Sequence, residues 1–401
     1  MDKLARGIGK AVEAERATLP TGGTGAAGSG APQAGSTGRS FLIHGQPEGT
    51  AAWLAEGLAR ELATRGHTPC NALTADTNLV LNFVDLERPR SIRRRGRGTF
   101  AVTIAVGSPD TRNVLEAAYP LFPRTLGNLI LYVIPGDPGC EAHFVTLEQG
   151  HYVVAYDGRD QAAFFRALYD RLMPLATARL VIDNIFTPDL PRELWRGDEV
   201  TASITRTGQR LDAMGLLPAP FPVHEYVSPR DYRHVQLLYG LGGLSYGNIS
   251  ARARHDPAAF WMSASGVDKG KLAQVGRDIL LVTGYDTQAN AMRVSHPAGV
   301  KPRRVSVDAI EHWMIYTSHP GVGAIVHVHS WWDGEIEVTE LNYPCGTWEL
   351  AQEVADIVRR APDPDHAVIG LKNHGLTITG ESLDEILGRI EGRIVPQVPM
   401  S

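Results

Sequence analysis

Gly321-Val322-Gly323-Ala324-Ile325-Val326-His327-Val328-His329-Ser330 is the stretch whose reading decides the fold. Small and β-branched apolar residues over 324–328, entered from a glycine turn, spell a short buried strand. Side chains alternate faces along a strand, so His327 and His329 point the same way, roughly 7 Å apart along it. Two imidazoles on one face beside a turn can grip one divalent ion, although ordinary strand-end histidines show the same spacing. A second apolar run, Ala367-Val368-Ile369-Gly370-Leu371, continues through Lys372 and Asn373 to His374-Gly375. Three neutral imidazoles with an open fourth position make a catalytic rather than a structural zinc site.

The chain around these histidines has 401 residues, enough for two domains, with 43% hydrophobic and 21% charged residues, the usual balance of a globular protein. A net charge of −5 gives no argument for nucleic acid or an anionic membrane as partner. Cys70, Cys140 and Cys345 are too few and too scattered for a disulfide framework, so a reducing cytoplasm is expected. No apolar run approaches the ~20 residues that span a bilayer. The first six residues are followed by no apolar core, so no secretory signal is expected.

Residues 20–38 are almost wholly Thr, Gly, Ala, Ser and Pro, which reads as a flexible tether after a short polar N-terminal segment. From about 39 to 190 an α/β domain is expected. It has strands near 41–45, 79–84, 99–106, 128–134, 142–147 and 151–156, and helices near 50–65, 110–119 and 160–176. Gly45-Gln46-Pro47-Glu48-Gly49-Thr50 is one residue short of a phosphate-binding turn and lacks its Lys, so it reads as a plain strand-to-helix turn. Residues 88–97 hold six arginines, either a cradle for a polyanion or, as an acidic chain favours, a solvated loop or contact. Pro188-Asp189-Leu190-Pro191 marks the expected boundary.

The second half, 198–401, opens with a weakly amphipathic helix over 198–214, followed by an irregular proline-rich connector over 218–229. Residues 242–252 and 260–266 each pair a glycine turn with small hydroxyl or amide side chains. There Asn248, Ser250 or Ser265 could hold a substrate anion, though each alone is as often a turn.

Taken in order, several pieces resemble the class II aldolase/adducin family over roughly 198–390. They are Gly247-Asn248-Ile249-Ser250, Ser263-Ala264-Ser265-Gly266, His319-Pro320, the His327/His329 strand, Gly346-Thr347-Trp348-Glu349-Leu350-Ala351 and Asn373-His374-Gly375. The resemblance implies an α/β/α sandwich around a mixed sheet, and a homo-oligomer, usually a tetramer, with the site between subunits. It also implies that His327, His329 and His374 bind a divalent metal, Zn2+ first, with Fe2+, Mn2+ or Co2+ as substitutes. The family's acid/base carboxylate lies nineteen residues before the first metal His, which here is Asp308. Asp at that position resembles the pentulose-phosphate epimerase branch. The competing reading is a helix cap, because 309–316 looks helical. Asn248, Ser265, Gly266 and Ser306 match positions that bind substrate.

Three departures bear on the reaction. Val307 stands where a second hydroxyl is expected, the chain between His329 and Gly346 is too short for the usual tyrosine proton donor, and the closing helices are curtailed. Trp331, Trp332 and Asp333 could rebuild that wall or simply pack on the surface. The resemblance implies a metal-dependent lyase acting on a small hydroxy-carbonyl or hydroxy-acid substrate through a metal-stabilised enediolate. Aldol cleavage, epimerisation, dehydration and decarboxylation all share that intermediate. Alternatives are an iron-dependent oxygenase on the same ligands and an adducin-like assembly module. Adducin-type heads do not retain the metal histidines, and this chain keeps all three. Val307 also favours a non-phosphorylated substrate, unless Arg303 or Arg304 supplies the missing charge.

Overall fold

The computed structural model describes residues 39–147, 150–218, 221–239 and 245–401. The tether expected at 20–38 and the first glycines of the 242–252 turn lie outside these residues. In the first half the short apolar runs become seven strands: β1 (Ser40–His44), β2 (Thr68–Pro69), β3 (Leu79–Phe83), β4 (Phe100–Val106), β5 (Leu129–Gly136), β6 (Gly139–Thr146) and β7 (Gly150–Tyr156). Their order is β2-β1-β3-β4-β5-β6-β7, parallel as far as β5 and antiparallel beyond it. Alternation along β5 divides the core. Leu129, Leu131 and Val133 pack with Leu54, Leu58 and Phe164 of the helices Thr50–Thr64 and Gln161–Thr177. Ile130 and Tyr132 pack on the other face with Tyr119 and Phe122. The helix expected at 110–119 starts later, at Val114–Ala118, because the Asn113 side chain accepts from the Leu115 and Glu116 N–H groups and sets the start there.

Eleven more strands follow among the described residues: β8 (Asp183–Thr187), β9 (Asn248–Arg252), β10 (Phe260–Ser263), β11 (Ile279–Asp286), β12 (Ala291–Ser295), β13 (Ala324–Val328), β14 (Trp331–Trp332), β15 (Glu337–Val338), β16 (Val368–Leu371), β17 (Gly375–Gly380) and β18 (Ile394–Val395). Nine of them form a mixed sheet in the order β15-β16-β17-β13-β9-β10-β11-β12-β8, while β14 pairs with β18 apart from it. The interior pairs are antiparallel and both edge pairs are parallel. Helices Glu199–Ala213 and Leu383–Ile390 pack together on one side, and Ala309–Ser318 and Trp348–Arg360 together on the other. β13 is buried along its whole length, as a central strand covered on both faces must be. This is the expected α/β/α sandwich.

Two expectations need correction. The chain changes sheets before Asp183, since β8 pairs with β12 of the second sheet, so the boundary precedes Pro188. Asp183-Asn184-Ile185-Phe186-Thr187 is a polar edge strand with one neighbour and carries little strand signal. The proline-rich connector is also more than a link. Its Phe221 and Tyr226 stack on Tyr119, with ring centroids 5.6 and 5.9 Å apart, and Val223 and Val227 complete that face of the first sheet.

The two halves are stitched directly. Val181 N–H donates to the Gly346 carbonyl at 2.7 Å, Trp348 N–H donates to the Arg179 carbonyl at 2.9 Å, and the Arg179 guanidinium meets Glu349 at 3.1 Å. The arginine-rich run 88–97 is a loop before β4; Arg97 joins this contact by pairing with Asp183, while Arg94 donates to the Leu126 carbonyl within the first half.

Candidate active site

β13 delivers His327, His329 follows at its end, and the tight β16–β17 turn delivers His374 from the neighbouring strand. That turn is held by His374 N–H donating to the Leu371 carbonyl at 3.0 Å, with Asn373 in the left-handed region at φ 55°. The three rings converge, with centroids 4.7 to 5.0 Å apart, and all three side chains are buried.

The donor set fits a divalent ion. His327 Nδ1–H donates to the Leu376 carbonyl at 2.9 Å, which fixes the tautomer and leaves a bare Nε2 that is buried and meets no partner. The Nε2 atoms of His329 and His374 lie 3.2 Å apart. Two nitrogens on one tetrahedral zinc, each about 2.0–2.1 Å from it, stand roughly 3.3 Å apart. Burial holds His327 and His374 well below the ordinary imidazole range, and each feels the charge of neighbouring site histidines, so both are neutral and able to ligate. Cys345 Sγ lies 3.1 Å from His374 Nε2, a neighbour the sequence spacing did not suggest.

Asp308 stands at the N-cap of the Ala309–Ser318 helix, yet its side chain makes no capping hydrogen bond. Instead Asn248 Nδ2 donates to Asp308 Oδ2 at 2.8 Å, so two of the expected site residues meet. Burial raises the Asp308 carboxyl, and His329, the Gly346 N–H, Asn248 and Lys269 pull against that rise. Lys269 is itself buried, donates from Nζ to the Ser245 carbonyl at 2.7 Å, and is pushed down to about 8 by desolvation. One helical turn on, burial and the Asp308 charge push Glu311 up to about 8, while Thr377 Oγ1 donates to its carboxyl at 2.6 Å.

The loops carrying Ser265, Gly266 and Ser306 are drawn together. Ser265 N–H donates to the Arg304 carbonyl at 2.9 Å, Arg303 donates to the Gly266 carbonyl at 2.7 Å, and Ser306 N–H reaches the Ser263 carbonyl at 3.3 Å. Ser250 is spent elsewhere, bonded to His312 Nδ1 at 2.7 Å and to the Tyr316 hydroxyl at 2.8 Å behind the histidines. Trp331 and Trp332 pair with β18, and the Arg393 guanidinium covers Trp332 at 4.8 Å.

A cavity of about 420 Å³ opens beside His374, walled by both halves: Tyr152, Arg171 and Leu175 face Val307, Cys345 and His374. Lys269, Glu311, Cys345 and the first-half wall were not foreseen. A buried Lys in a Lys-Gly-Lys turn looks solvated in sequence, and Arg171 lies on a helix more than 150 residues before the nearest ligand.

Residues 232–333 match the model of the Class II Aldolase and Adducin N-terminal domain. A methylthioribulose-1-phosphate dehydratase of Bacillus cytotoxicus is 27% identical over 169 residues, which is 36% of this chain and 74% of that one. Among solved structures, an L-fuculose 1-phosphate aldolase is 18% identical with a TM-score of 0.34, covering 49% of this chain and 81% of its own. YgbL from Klebsiella pneumoniae is 18% identical with a TM-score of 0.32, covering 48% and 84%. The matched segment takes in Asn248, Asp308 and both strand histidines, so the similarity to the class II aldolase and adducin family lies over residues 232–333, in the C-terminal half of the chain.

Proposed function

We propose that the chain is a divalent-metal-dependent lyase that dehydrates a small hydroxy-carbonyl compound. The observation that supports it most is the convergence of His327, His329 and His374 beside a buried carboxylate, Asp308, oriented by Asn248. The similarity to a dehydratase favours water loss over the other reactions of the family. An ion held by the three histidines supplies Lewis-acid polarisation of a carbonyl oxygen.

The chain's own residues do the rest. Asp308 takes the proton from the carbon next to the carbonyl. The electron pair moves toward the neighbouring carbon, whose C–O bond breaks. Asp308 then returns its proton to the departing hydroxyl, which leaves as water; when the carbon that lost its proton also bears a hydroxyl, the product is an enol that becomes a ketone. A carboxyl raised by burial but restrained by His329, the Gly346 N–H, Asn248 and Lys269 is suited to take a proton and to return it. Asn248 Nδ2 keeps Oδ2 aimed during the exchange, and apolar walls such as Val307 limit bulk water.

The test is a panel of hydroxy-carbonyl substrates with zinc-, iron-, manganese- or cobalt-loaded protein, analysed for water loss against release of a carbon fragment. Water loss that needs the metal supports the reading. Carbon-fragment release would make the chain an aldolase, and oxygen consumption with iron an oxygenase. Full metal occupancy in His374→Ala would remove the metal assignment itself.

A further inference from the structure

The cavity beside His374 has one wall that belongs to the first half of the chain, and Arg171 is the one cationic side chain among the described residues that line it. Among the described residues no carboxylate lines that cavity and none forms an ion pair with Arg171. The side chain is only half exposed. Its Nη1 donates to the Ala167 carbonyl of its own helix at 3.2 Å, its guanidinium lies 5.8 Å from the centre of the Tyr152 ring, and its buried Nε meets no hydrogen-bond partner. A half-buried charge without a counter-ion, in a cavity that Leu175, Leu180 and Val307 also line, is costly, and an anion entering the cavity offsets that cost.

We infer that Arg171 is the clamp for an anionic group at the end of the substrate remote from its reacting carbons, and that this group is a carboxylate. The inference rests on the lyase reading of the histidine site and adds to it the substrate's charge and the role of the first half. A planar guanidinium presents two parallel N–H groups that match a carboxylate, and as the one charged donor in the lining it balances the single charge of a carboxylate better than the double charge of a phosphate. The hydroxy-carbonyl end then faces His374, and the apolar side chains between them take the carbon chain.

Three probes separate the terms in calorimetric titrations of the zinc-loaded full chain: 5-hydroxy-4-oxopentanoate, its methyl ester, and dihydroxyacetone phosphate. Arg171→Met should weaken the acid about tenfold to a hundredfold, the scale of a lost charge-assisted pair, and leave the ester unchanged. Arg171→Lys keeps the charge but not the fork. It should lose several-fold for the acid alone, and it serves if the Met variant does not fold. Tighter, Arg171-dependent binding of dihydroxyacetone phosphate would keep the clamp and replace carboxylate by phosphate. Equal affinity of wild type and variant for the acid, a matching loss for the ester, or no binding of either anion to wild type would overturn the clamp. Full metal occupancy in His374→Ala, with acid binding retained and still Arg171-dependent, would sink the lyase reading and spare the clamp.

Discussion

Asp308 sits where a helix would use a capping side chain, and turns its carboxylate to Asn248 instead. Asp308→Asn should therefore leave metal content and melting temperature nearly unchanged while turnover falls about 10²-fold or more. A variant that keeps its rate and loses only stability would restore the capping role. Glu311 provides a second test. Its folded value of about 8 lies above the ordinary 4.5, so the folded state keeps a proton that the unfolded chain has lost. The stability this contributes is fully present below about pH 4.5 and is lost as pH rises through about 8. Melting curves at several pH values should show a smaller fall for Glu311→Gln than for wild type, and parallel curves would contradict the raised value. At this scale the sequence disclosed the groups whose chemistry is local. His-x-His on a strand declares a shared face, whereas Asp308 was expected only through the family resemblance. Lys269 and Glu311 are ordinary charged residues until the fold buries them, and burial is a property of the packed chain.

β9 and β13 lie close enough that Gly247, at φ 71°, has no room for a side chain against the His327 carbonyl. Gly247→Ala combines a left-handed backbone with a backbone clash, so it should cost upwards of about 1 kcal/mol and lower metal affinity by shifting the strand that carries His327. Unchanged metal titration alongside lower stability would separate the strand's position from its function. The strands legible in sequence were those with dense apolar runs, such as β4, β5 and β13. β8 escaped because an edge strand with a half-exposed pattern is polar on most of its positions. The 218–229 connector read as irregular, but its aromatic residues Phe221 and Tyr226 are committed to the first sheet, and proline content says nothing about that destination.

At the scale of the molecule, the bonds joining 179–181 to 346–349 and the insertion of Tyr343 beside Met173 and Leu175 make the halves interdependent. Calorimetry should give one unfolding transition in which Trp53 of the first half and the second-half tryptophans change together. Two separated transitions would show that the halves melt independently. The sequence showed two α/β regions, and left open how they meet, because interface residues such as Tyr152 and Tyr343 resemble any half-buried aromatic. The shared cavity also bears on dilution. The wall bearing Tyr152 and Arg171 is covalently joined to the ligand-bearing sheet, so its local concentration is set by the chain and not by the number of molecules in the tube. Whatever self-association the protein undergoes, this wall stays in place when the protein is scarce, and its share of substrate affinity should persist unchanged down to nanomolar enzyme.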